Sequence, residues 1–308
     1  MSHASFSSEW LALREPVDHR SRAPELLEPL RAWCRAAGVE RIVDLGSGTG
    51  SNVRYLAPRL FPEHFPQGGA GVEWLLVDHD AALLERALAG GIGTARGGAS
   101  AGDDALAGLS APTGDAAPDG GRHTLRAVVG DLGTDGLREV AGADLVTAAA
   151  LLDLVSEGWI DEMVEACRAS GAAALFALSY DGRVRWDPVR PMDALVLGAV
   201  NAHQRLDKGL GPALGPDAAL RAEQRFRAAG WRTRRAASPW QLGPDDHPLV
   251  RLLLRGWAEA AIELRPSIAA SVREWETDRT ALLDGGGAFS VTVGHHDLLA
   301  LPPAEGAL

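Results

Sequence analysis

The chain has 308 residues, 46% hydrophobic and 23% charged, the balance of a soluble globular protein with room for a substantial core. Its net charge of −11 excludes the broad basic footprint that long stretches of nucleic acid require. No run of about 18 apolar residues is present to predict a membrane span. Two cysteines, Cys34 and Cys167, form neither a metal-ligand spacing nor a disulfide framework, and the first residues lack the basic start and apolar run of a secretion signal, so a cytoplasmic location is expected.

Residues 1–40 read as an N-terminal helical cap. Leu26, Leu27, Leu30 and Trp33 are at helical spacing between Pro24 and Ala37, and Gly38 stops that helix. Arg14, His19, Arg20 and Arg22 precede it and form a basic group. Ile42 and Val43 then end a buried strand at Asp44. Gly46, Gly48 and Gly50 follow at alternate positions, with Ser47 and Asn52 beside them. Glycine suits a backbone that turns sharply and lies close to a ligand. A helix over Asn52–Leu60 comes next and is expected to end early at Pro58. Phe61–Gly71 is rich in turn residues.

Trp74–Val77 is a short strand ending in Asp78-His79-Asp80, and Asp80 is placed to cap a helix over Ala81–Leu88. Residues 90–122 are low in complexity and have little to bury, which predicts a flexible surface insertion. Leu125–Val129 is a third strand, followed by Gly130-Asp131-Leu132. Asp144–Thr147 is a fourth, and leads through Ala148 to Asp153, with Ser156 capping the next helix. Ala172–Ser179 is a fifth, leaving through a loop over Tyr180–Pro188.

Asp193–Arg205 reads as a helix, and Asp207–Pro216 as a loop punctuated by Gly and Pro. Segment 183–216 follows a strand's carboxyl end, where pocket loops sit, so it is the expected substrate cap. Asp217 should cap a helix that Gly230 stops. Trp231–Trp240 is a sixth strand, two long helices follow, and Phe289–Leu301 is the last strand. His295 and His296 are adjacent on it and point to opposite faces, so they do not share a metal and none is expected. Strands and helices alternate throughout, which predicts an α/β doubly wound sheet over 41–308.

The Asp44–Gly50 loop differs from a dinucleotide loop, where G-x-G-x-x-G places its third glycine one residue later. Asp44, two residues before the first glycine, would face phosphates badly and suits a ligand with an ammonium and a sulfonium. Taken with Asp78 and Asp131, this D-L-G-x-G-x-G run resembles the class I S-adenosylmethionine (SAM)-dependent methyltransferases. The resemblance implies a Rossmann-like seven-stranded sheet with its last strand antiparallel, carrying helical insertions. It also implies SAM as cofactor, held by Asp44, Gly46, Ser47, Gly48, Gly50, Asn52, Asp78, His79, Gly130, Asp131, Leu132 and Ala148. Asp78 would take the ribose hydroxyls and Asp131 the adenine amine.

The activity implied is in-line methyl transfer to an oxygen or nitrogen of a small molecule, driven largely by positioning. Asp153 and His203 are the expected bases. Arg14, His19, Tyr180 and Arg205 are the expected substrate contacts. Methyltransferases of this class that act on nucleobase amines often carry an Asn/Asp-Pro-Pro-aromatic run where this chain has Ala-Ala-Ala-Leu-Leu-Asp, which speaks against a nucleobase acceptor. A protein side chain as acceptor and a non-catalytic SAM-binding module are the alternatives. The Trp-rich C-terminal helices offer a face for a homodimer.

Overall fold

In the computed structural model the chain is described over residues 7–61, 71–92, 123–285 and 289–303. The sheet among these residues has eight strands: β1 (Arg41–Leu45), β2 (Val72–Asp78), β3 (His123–Val129), β4 (Leu145–Ala149), β5 (Ala173–Asp187), β6 (Arg232–Ala237), β7 (Trp240–Leu242) and β8 (Ser290–Leu301). Their order is β3-β2-β1-β4-β5-β8-β6, and β7 pairs with β8 beside β6. β1 to β5 pair in parallel, and β8 runs antiparallel to both β5 and β6. The expected count of seven rises to eight because Ser238-Pro239 divides the predicted sixth strand, and Trp240–Leu242 then pairs with Val291–Val293.

Alternation along the strands builds a core on each face. Val43, Leu45, Leu75, Val77 and Leu298 face α5 (Asp135–Glu139), α6 (Glu157–Ser170) and α8 (Ala218–Ala228), with Trp159, Ile160 and Phe226 between. Ile42, Trp74, Leu76 and Leu299 face α2 (Leu27–Ala37), α3 (Ser51–Leu60) and α4 (Ala81–Gly90). Leu26, Leu30 and Cys34 belong to this second core, so the expected division at residue 40 coincides with no break in packing.

A third core lies against the part of the sheet where β7 and the far end of β5 pair with β8. There α1 (Ser8–Ser21), α7 (Asp193–His203), α9 (His247–Leu264) and α10 (Ala269–Asp284) cover Tyr180, Trp186, Trp240, Val291 and Val293. Asp193 ties this lobe together: it accepts bonds from Trp275 Nε1 and from the buried guanidinium of Arg279.

Several local expectations are corrected. Tyr180–Asp187 is not a loop, because β5 runs on to Asp187 through a register shift between Tyr180 and Val184. The Asp-Gly pair belongs to that irregularity, with Gly182 at φ 81°, and beyond it Trp186 is buried between two exposed neighbours. Pro58 sits inside α3 without ending it. Asp217 caps nothing and pairs with Arg205 instead. Asp80 and Ser156 do cap their helices, accepting from Ala82 N and Trp159 N. The expected insertion begins at Gly90, the last residue of α4, but residues 93–122 lie outside the described residues, as do 62–70 of the turn-rich segment. No helix among the described residues is long and apolar enough to cross a membrane.

Candidate functional site

The carboxyl ends of β1, β2, β3 and β4 converge on one cavity of about 880 Å³, counting its mouth. Gly46 and Gly48 supply the β1 side. Both have positive φ, at 64° and 51°, which only glycine adopts without strain. Asp78 closes β2 and lines the cavity with His79. Its Oδ2 accepts from Gly48 N at 2.8 Å and its Oδ1 from Asp80 N at 3.0 Å, while His79 Nδ1 lies 3.2 Å from Oδ1. Of roughly four acceptor sites on a carboxylate, these take three at most.

Asp131 and Leu132 line the same cavity after β3, and Asp131 Oδ1 accepts from Gly133 N and Thr134 N. Apolar walls come from Leu83, Leu151 and Leu154. The predicted cap contributes Lys208 and Leu210. Burial lowers the Lys208 pKa, against the charge of Glu263.

A second cavity adjoins this one across Gly46, Gly48, Leu11 and Arg14. Ser47, Ser51 and Asn52 form its floor, and Arg14, Asp18, His19 and Arg22 roof it. Arg14 holds Asp18 through two bonds. His19 Nε2 lies 3.0 Å from Ser51 O, and burial lowers its pKa, against the Ser51 hydrogen bond and the charge of Glu15.

Beneath the loop runs a buried polar chain. Asp44 Oδ1 accepts from Asn52 Nδ2 and Thr147 Oγ1, both at 2.6 Å. Asn52 Oδ1 accepts from Arg22 Nη1 at 2.8 Å, and Arg22 Nε reaches Asp297 at 3.3 Å. Burial pushes the Asp44 carboxyl up to about 6, against hydrogen bonds from Thr147 and Asn52 and the charge of Arg22.

The third cavity, about 640 Å³ counting its open mouth, lies beyond Arg14, Ala150 and Leu154. Asp153, Tyr180, Trp10, Trp240, Trp257 and His295 line it. Asp153 is 7% exposed. Burial pushes its carboxyl up to about 6, while backbone N–H groups of Asp153 and Tyr180 and the Arg14 charge oppose the rise. Tyr180 Oη donates to Asn201 at 2.8 Å, and burial raises its pKa.

Placement of the remaining expected residues follows from this geometry. Asp44 and Ala148 line none of the three cavities, since both are buried in the sheet; Ala149 and Ala150, at and just past the end of β4, line them instead. Gly50 sits against Ala87, serving the packing of α3 on α4, and Gly130 sits against Asp135. Neither lines any of these three cavities. Arg14 and His19 lie over the glycine loop as well as, for Arg14, the third cavity. Arg205 is bound to Asp217 on the surface, away from all three. His203 also lines none: its ring lies 3.2 Å from Glu263 Oε2 and 3.3 Å from Lys208 Nζ. Trp10, Asp18, Trp240 and Trp257 carry no local motif, and for the tryptophans the one hint is their number, nine against two tyrosines; His295 stands out in the sequence only as the neighbour of His296.

No family model matches the chain, and no curated protein matches it. Among solved structures it is similar to a cyclopropane-fatty-acyl-phospholipid synthase-like protein from Lactobacillus casei, at 13% identity and TM-score 0.46 over 98% of this chain and 96% of that one. It is also similar to SAM-dependent methyltransferases from Geobacter sulfurreducens (16% identity, TM-score 0.41, 96% and 99% covered) and Thiobacillus denitrificans (17%, 0.40, 96% and 100%), both in complex with S-adenosylhomocysteine. Likenesses this distant carry no argument about activity, which rests on the chain's own residues.

Proposed function

We propose that the chain is a SAM-dependent methyltransferase acting on a small-molecule oxygen or nitrogen. The observation that carries this reading is the shared boundary of two cavities. Arg14, Ala150 and Leu154 border both the acid-and-glycine cavity and the one holding Asp153. Two ligands seated there would abut, as a direct transfer requires.

The residues fit the cofactor. Asp78 keeps acceptor capacity for ribose hydroxyls, Asp131 accepts from an amine, and Leu83, Leu132 and Leu151 suit an adenine ring. Arg14, Arg22 and Asp18 around the second cavity suit a carboxylate and an ammonium. Asp44 acts from below, by fixing Asn52. When bound, SAM supplies a sulfonium methyl group, and transfer forms an O–C or N–C bond as the C–S bond breaks with its electron pair left on sulfur. Asp153, which lines the acceptor cavity with a raised pKa, would take the proton that the acceptor loses. Arg14 bears a positive charge beside the same junction and steadies negative charge growing on an acceptor oxygen.

Thermal unfolding with S-adenosylhomocysteine and, separately, NADH tests the reading. Ligand at about 100 times its dissociation constant adds about 2.7 kcal/mol, or about 4 °C for a chain of this size. A shift with S-adenosylhomocysteine alone is expected. No shift at millimolar concentration removes the proposal.

A further inference from the structure

The third cavity has an uncommon balance of unpaired groups. Asp153 Oδ1 is buried without a hydrogen-bond partner among the described residues. His295 donates from Nδ1 to Val293 O at 3.1 Å, and burial pushes its pKa down to about 3, so the neutral ring presents Nε2 as an acceptor. Trp10 Nε1 is a buried donor, likewise without a partner among the described residues. Such groups are costly when left unmet in a buried site, so a ligand that meets them binds more tightly for it.

Three more rings, those of Tyr180, Trp240 and Trp257, line the cavity together with the aliphatic Leu154, Leu178, Leu253 and Val293 and the amide of Gln204. Trp240 Nε1 is already given to Asp18 at 2.9 Å, and Tyr180 Oη to Asn201. What these residues and Trp257 offer a ligand is apolar ring surface, which favours a flat molecule in offset or edge contact.

Two donor-bearing ligands would answer Asp153: an ammonium or a hydroxyl. Arg14 lines the same cavity, and its charge lowers the pKa of both Asp153 and His295. It repels an ammonium and favours an oxygen on which negative charge grows. An ammonium also offers nothing for Trp10 Nε1 to donate to, whereas a hydroxyl oxygen does.

We infer that the third cavity is a binding site for planar hydroxyaromatic molecules, held between the Trp240, Trp257 and Tyr180 rings with a hydroxyl donated to Asp153. Its role as the acceptor site rests on the methyl-transfer reading; the binding itself does not.

Isothermal titration at neutral pH, without and with S-adenosylhomocysteine, tests it with three probes: β-naphthol, β-naphthyl methyl ether and β-naphthylmethylamine. β-Naphthol is expected to bind about tenfold more tightly than its methyl ether, the worth of one charge-assisted hydrogen bond. Asp153→Ala should abolish that preference and leave the ether's affinity within about twofold, showing the variant still folded. Trp257→Ala should weaken both about tenfold. Equal binding of naphthol and ether, tighter binding of the amine, or no binding of any probe overturns the inference. Naphthol binding that persists while S-adenosylhomocysteine fails to bind overturns the methyl-transfer reading and leaves the site.

Discussion

The backbone N–H of Gly48 donates to Asp78 Oδ2 at 2.8 Å, so the acid that ends β2 also shapes the loop that follows β1. A position predicted as a ligand contact thus holds the protein's own backbone as well. Asp78→Ala is expected to lose about 10- to 100-fold in S-adenosylhomocysteine affinity, from a lost charged acceptor and a loosened loop. Titration calorimetry reads the change, and a loss below threefold would show that Asp78 does not touch the ligand.

Arg22 joins Asp297 to Asn52, and its guanidinium lies 4.6 Å from the Tyr55 ring centre. Removing it leaves two buried acids, Asp44 and Asp297, with fewer partners. Arg22→Ala should cost about 3–5 kcal/mol in urea unfolding, the toll of breaking a buried pair from one side. A cost below about 1 kcal/mol would mean that water replaces the guanidinium.

Asp153 supplies a pH test. Its folded pKa, raised to about 6 from 3.8, means that the native state binds this proton more tightly than the unfolded one. The ionised form therefore costs stability above about pH 6, and the cost vanishes as the pH falls through that value towards 3.8. Stability of Asp153→Asn relative to wild type should be greatest above about pH 6 and decline by roughly 2–3 kcal/mol by about pH 4. Asp44 titrates in both proteins and cancels in the difference. If Asp153 takes the acceptor's proton, wild-type turnover should also fall below about pH 6, a limb absent from the Asn variant.

Cys34 and Cys167 are buried, and burial pushes both thiols to about 12. Native protein should leave Ellman's reagent unreacted at neutral pH, while guanidinium should release both thiols promptly. Fast reaction of either in the native state would contradict the packing of α2 or α6.

The site was legible where chemistry is carried by local spacing. Gly46, Gly48, Asp78 and Asp131 all stand at or just past the end of a strand, and the fold brings them to one cavity. Asp44 was legible as a motif but not in its role, because its partners Asn52 and Thr147 lie on other elements and turn the carboxylate inward. Arg22 and Asp297 are 275 positions apart, so no local pattern announces their pairing. The aromatic cavity was hidden for the same reason: Trp10, Trp240 and Trp257 meet only after α1 and α9 pack where β7 and the far end of β5 pair with β8. His203 looked suited to base chemistry by residue type alone, and the turn of α7 carries it to Glu263 instead.

Arg14 borders all three cavities. A single side chain that walls two ligand spaces gives their occupancies a route by which to be linked. Whatever free energy a guest in one space adds to or removes from binding in the other must return in equal measure in the opposite direction. Held by Asp18 and stacked near Trp10 and Trp240, Arg14 makes α1 the element through which that reciprocity would pass.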